Sequence, residues 1–171
     1  ILREYVFCNQ HVGITNGYAT QSISKLKNIM LYYIKRFDGV FFTVMNKLLF
    51  YTAFVNYRQF GRGMSGLSYK AIQYGPVPLE YNRVYSINDL RQSIIYYESG
   101  KYGQKLESDM SPDMSAFTEE ELATLESVAN RFQDTKAGEI SDISHEEDAW
   151  KKYVDTGMLI SFNEAFTLKA L

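Results

Sequence analysis

Two histidines, one cysteine and scattered hydroxyls and carboxylates are the only groups in this 171-residue chain from which nucleophilic or metal chemistry could be built. Cys8 and His11 are the one close pair. A zinc site needs three or four ligands, and Cys8, His11 and His145 have no recognisable ligand spacing. A Ser-His-Asp reading would have to use Ser144, His145 and Asp148, but near neighbours at the start of a helix do not face one another as a triad requires. Ser144 reads better as a helix N-cap, with Glu146, Glu147 and Asp148 favouring the positive helix end. The run Gly61-Arg62-Gly63-Met64-Ser65-Gly66 has the glycines of a phosphate loop. It lacks the Gly-Lys-Ser/Thr ending and follows a helix rather than a strand, so it reads as a helix stop. Glu119, Glu120, Glu121 and Glu126 read as a solvated helix start. The expectation is a protein that is not an enzyme, with no catalytic residue, no cofactor and no metal.

Positioning such residues falls to a mostly helical framework. The stretch 45–78 organises it. Leu48, Thr52 and Val55 recur at helical spacing, and Leu49, Phe50, Tyr51 and Phe54 make this helix apolar on almost every side, the pattern of a helix surrounded by its own domain. Glycines at 61, 63 and 66 stop it, and Tyr74-Gly75-Pro76-Val77-Pro78 makes a rigid corner. Ahead of it, Ser22–Phe37 is amphipathic, with Ile23, Leu26, Met30, Tyr33 and Phe37 on one face. Leu67–Tyr74 reads as a short strand and Val77–Val84 as one or two turns of helix. Ser93–Glu98 and Tyr102–Leu106 flank Ser99-Gly100-Lys101 as a β-hairpin. Capping boxes at Thr118…Glu121, Ser144…Glu147 and Ser161…Glu164 predict three further helix starts. Leu2–Cys8 reads as a strand. The fold class expected is mainly α (α+β): a compact helical domain over 22–171 with a small β-hairpin and short strands, preceded by an N-terminal arm, or the end of an upstream region, over 1–21.

Composition narrows the class further. Net charge is −2, which gives no global electrostatic footprint for nucleic acid. No apolar run approaches the ~20 residues that span a bilayer, no signal segment is evident, and one cysteine permits no internal disulfide. The expectation is a cytoplasmic protein without a membrane partner. The 14 tyrosines and 11 phenylalanines are numerous, and tyrosine serves both core margins and protein interfaces.

Asn46-Lys47-Leu48-Leu49-Phe50-Tyr51, the Gly61-Arg62 turn, Tyr74-Gly75-Pro76-Val77, Leu125 to Phe132, and Ile143-Ser144-His145-Glu146 with Trp150 occur in the order and spacing of the Panacea domain, the SocA-like antitoxin family. The chain resembles that family over roughly 22–168. The resemblance implies an antitoxin that neutralises a protein toxin encoded nearby by direct contact, with delivery of the toxin to a protease as a mechanism of the SocA-like branch. It also implies bacterial origin. DNA contact would come only through a missing upstream domain, and the start at Ile1 without methionine leaves room for one.

Binding of that kind concentrates in a few Tyr, Trp and Arg anchors. The candidates are Tyr51, Tyr57, Arg58, Tyr74, His145 and Trp150, taken from family motifs or aromatic positions that look exposed. For His145 and Trp150 the sequence leaves both packing and partner contact open. The alternative function is a nucleic-acid-associated regulator of the same operon, acting through Lys25, Lys27, Lys35 and Arg36 and through the basic-aromatic run Tyr57–Arg62.

Overall fold

The computed structural model describes residues 2–171. Helix α3 (Phe42–Phe60) is its axis, with every residue from Met45 to Asn56 buried. Phe50 and Phe54 meet Tyr69 and Phe162 in one aromatic cluster, the Phe54 and Phe162 rings stacked 4.1 Å apart. Polar groups on α3 are paired inside. Thr52 donates to the Leu48 carbonyl at 2.6 Å and lies 2.6 Å from the Tyr33 hydroxyl. Asn56 donates to the Arg62 carbonyl at 3.0 Å and accepts from Thr124 at 2.8 Å. Gly61 ends the helix in the left-handed region, its N–H returning to the Tyr57 carbonyl.

Around this axis pack α2 (Ile23–Phe37), capped by Ser22, and α4 (Glu119–Phe132). The capping box at Thr118 and Glu121 is complete in both directions. Then follow α5 (Ala137–His145), the single turn α6 (Asp148–Lys151) and a 3₁₀ stretch, Phe162–Thr167, started by Ser161. Two antiparallel sheets complete a mixed α+β domain. Strands β2 (Tyr69–Ile72) and β3 (Gly75–Pro78) pair with each other, and β1 (Val40–Phe41), β5 (Tyr102–Glu107) and β4 (Arg91–Tyr96) form a sheet in the order β1-β5-β4.

Three local expectations are corrected. The segment read as an N-terminal strand holds helix α1 (Leu2–Phe7), and Val6 and Phe7 are buried in the main core. The arm is bound to the domain by main-chain bonds, Gly63 N–H to the Gly17 carbonyl and Phe162 N–H to the Ile14 carbonyl. Val77–Val84 does not start a helix. Leu79 N–H donates to the Ser68 carbonyl, so residues 75, 77 and 79 face β2 while Pro76 and Pro78 face away, where a missing N–H costs no ladder bond. Ser144 is not an N-cap. It lies in the last turn of α5 and donates back to the Ser141 carbonyl at 2.8 Å, while Glu147 begins α6.

Candidate functional site

At the β2–β3 turn, two of the expected anchors hold backbone. Trp150 Nε1 donates to the Ile72 carbonyl at 2.6 Å. The His145 ring lies edge-on to the Trp150 ring at 4.4 Å, with Nε2 2.9 Å from the Gln73 carbonyl and Nδ1 2.6 Å from the Ser141 carbonyl. Both neighbours are acceptors, so a neutral ring with one N–H serves one of them and an imidazolium serves both. Gly75 completes the corner at φ 113°, where a Cβ would meet Lys47 Cε at 2.7 Å and Ser144 Oγ at 3.0 Å. Tyr74 stands at the tip, 63% exposed. The structure therefore brings Tyr74, His145 and Trp150 together, with Tyr74 displayed and the other two holding the turn that displays it.

The remaining candidates lie elsewhere. Tyr51 has no exposed surface and is corrected from docking anchor to core residue. Its hydroxyl is turned toward the buried carboxylate of Glu147, and neither Tyr51 Oη nor Glu147 Oε2 completes a hydrogen bond. Burial raises the pKa of both groups. Glu147 Oε1 accepts from Lys169 N–H at 2.7 Å. Tyr57 is half-buried edge-on to Phe162 and Phe166, and Arg58 donates to the Leu171 carbonyl at 2.7 Å. One turn before Tyr51, Lys47 is 1% exposed, and burial alone brings its amine down to about 8. No carboxylate pairs with it among the described residues, which marks it as a costly buried base.

The surface that the sequence reading missed is the β4–β5 hairpin and the groove at its root. A groove of about 420 Å³ runs between the α2–α3 junction, the hairpin and the α4–α5 connection, lined by Phe37, Phe41, Val44, Tyr97, Phe132 and Ile140 among others. Gly103 makes its wall possible, since a Cβ there would lie 2.9 Å from the Phe41 ring. Beyond the root the hairpin projects with Ile94 (50% exposed), Tyr96 (75%), Tyr102 (65%), Ile95 and Tyr97 on its surface. The apolar run Ile94-Ile95-Tyr96-Tyr97 is visible in the sequence, but its lack of cover is not. Leu106 is the only buried residue of either strand, so the apolar residues outward from it had no core to enter. A larger cleft of about 520 Å³ beside α4 has a mixed lining, with Phe60 and Met64 beside Arg62, Glu120 and the Lys25–Glu121 ion pair at 2.9 Å.

Most of the basic stripe on α2 is engaged. Lys25 pairs with Glu121, Lys27 with Asp89, and Arg36 donates to Asn130 and Gln133. Among the described residues no group of three or more His, Cys, Asp or Glu side chains could hold a metal ion, and no helix is long and apolar enough to cross a membrane.

A buried axial helix, a braced turn and an unburied aromatic hairpin define a small α+β module that displays aromatic side chains at the turn and at the hairpin. The family model described as Antitoxin SocA-like, Panacea domain, matches residues 45–151, well over half of the chain, and the chain belongs to that family of antitoxins. Neither the curated proteins nor the solved structures contain a match.

Proposed function

We propose that this domain neutralises a protein toxin encoded beside it, in the cytoplasm of a bacterium, by forming a complex and not by catalysis. The toxin inserts an apolar anchor into the groove bounded by Phe37, Phe41, Val44 and Tyr97. The observation that carries this reading is the groove itself. It is an apolar concavity with aromatic walls on a member of an antitoxin family, the setting in which interface energy concentrates. The Tyr74 corner is a smaller second contact.

The test is co-expression with the neighbouring gene. The neighbour alone arrests growth, the pair grows, and Val44→Glu or Tyr97→Ala loses the rescue while the variant remains folded. A harmless neighbour overturns the antitoxin reading, and full rescue by both variants moves the toxin off the groove. Following the toxin's level in rescued cells separates the two modes of neutralisation. A steady level means steric blockade, whereas a falling level means delivery to a protease. The regulator reading predicts binding to nucleic acid that weakens steeply with salt. The engagement of Lys25, Lys27 and Arg36 within the domain argues against it.

A further inference from the structure

The outer edge of β4 is an unguarded strand edge. Tyr97 N–H donates to the Lys101 carbonyl and Tyr97's own carbonyl accepts from Gly100, so Tyr97 faces β5. By the alternation of antiparallel strands, Ser93 and Ile95 face β5 as well, and Gln92, Ile94 and Tyr96 turn their N–H and C=O groups outward. Natural edges are blunted by proline, lysine, a bulge or a covering element. Gln92-Ser93-Ile94-Ile95-Tyr96-Tyr97 contains no proline and no charge, and no strand pairs with this edge among the described residues.

We propose that two copies of this chain pair through antiparallel β4 strands with the two-fold axis at Ile94. Three observations favour a second copy. The outward-facing residues 92, 94 and 96 are symmetric about Ile94, so one register satisfies all of their main-chain groups: Ile94 opposite Ile94, and Gln92 opposite Tyr96. Pairing centred between Ile94 and Ile95 would set an outward residue against an inward one and is forbidden. That register also opposes no like charges, and it places Arg91 opposite the ring of Tyr97. The available area is of the right order. Large side chains contribute roughly 150–250 Å² each, so the exposed fractions of Ile94, Ile95, Tyr96 and Tyr102 offer roughly 350–550 Å² per copy, with Tyr97 left to the groove. Two copies bring at most roughly 700–1,100 Å², which brackets the ~1,000 Å² that a specific interface needs. The product is a six-stranded sheet, β1-β5-β4-β4-β5-β1. A two-fold axis perpendicular to it opens both grooves on the same side, so one dimer presents two toxin-binding grooves. The dimer is independent of the toxin reading.

Sedimentation over a wide concentration range tests it. The mass is expected to climb from the 19.8 kDa of one chain toward twice that value. Ile94→Pro deletes an outward N–H without touching the β4–β5 ladder, so it should remain monomeric with an unchanged circular dichroism spectrum and still rescue cells from the toxin. Ile94→Cys in a Cys8→Ser background supplies a second reading. Cα atoms of a hydrogen-bonded pair lie about 5.5 Å apart, within disulfide reach, so oxidation should cross-link the dimer. A wild-type monomer at every concentration overturns the proposal, as does a dimer that survives Ile94→Pro or an Ile94→Cys variant that does not cross-link. A monomer whose β4 edge becomes protected only when the toxin is added gives the edge to the toxin and overturns it too.

Discussion

The β2–β3 turn and the β4–β5 hairpin are both short antiparallel pairs with aromatic residues, and they are held in opposite ways. All four residues of β3 are buried, its prolines face away from β2, and Trp150 and His145 hold the carbonyls of Ile72 and Gln73. The hairpin is fixed only at its root, where Leu106 lies opposite Val40, and no residue of β4 is buried. An aromatic side chain in the first region has its polar group and its ring satisfied by the fold. In the second it is left for something else to cover. The distinction predicts where a substitution reads out: in stability at the turn, in association at the hairpin.

The largest effect is expected at Trp150. Trp150→Ala removes the hydrogen bond to the Ile72 carbonyl and the edge contact with His145, and should cost about 3 kcal/mol in chemical denaturation. Trp150→Phe keeps the ring and loses only the donor, so it should cost about 1–2 kcal/mol. If both variants match wild type in stability while toxin binding fails, the turn is a docking site and the contrast between the two regions collapses.

Lys47, packed beneath Gly75, gives the next largest effect. Its amine titrates near 8 in the folded chain against an ordinary 10.5. Between those values the unfolded chain binds more protons, so stability rises with pH across the window, by on the order of 3 kcal/mol. Above about pH 10 the sign reverses. Burial raises the hydroxyls of Tyr33, Tyr51, Tyr69 and Tyr85, so the unfolded chain ionises first and stability falls. Denaturation midpoints across this range should peak on the alkaline side. Lys47→Met should flatten the rise and leave the fall.

These two regions also separate what was legible in the sequence from what was not. Helices α2 and α3 were legible because apolar spacing and stop signals act within one segment, and the box at Thr118 because both of its bonds are local. Ser144 carried the same spacing to Glu147, but that carboxylate is drawn inward to Lys169 N–H, a partner 22 residues away. Leu2–Phe7 had too few residues to distinguish a helix from a strand. The family motifs located His145 and Trp150, whereas their role depends on carbonyls more than 70 residues distant. The hairpin was legible as an element. Its exposure was not, because the consecutive apolar run Ile94–Tyr97 reads the same in a strand covered on both faces as in one left uncovered.

At the hairpin, Tyr97→Ala should shift stability by no more than about 0.5 kcal/mol and weaken toxin binding by about 1–2 kcal/mol, roughly 5- to 30-fold. Titration calorimetry with the purified toxin, run beside thermal melts, measures both. A melt lowered as far as that of Trp150→Ala would show that Tyr97 braces the groove wall at Phe41 and would move it to the first region.

Tyr74 tests the boundary, because it is an unengaged ring on an engaged turn. With 63% of its surface exposed and its backbone held from below, Tyr74→Ala should leave the melting temperature within error. It should weaken the toxin complex by less than about 1 kcal/mol, as an anchor outside the apolar groove would. A loss equal to that of Tyr97→Ala would make the braced turn a second docking platform. His145 and Trp150 would then hold it rigid so that the toxin meets a ring already in place, and binding would escape part of the ordering cost. The two regions would differ in how they hold their aromatic residues and share one purpose.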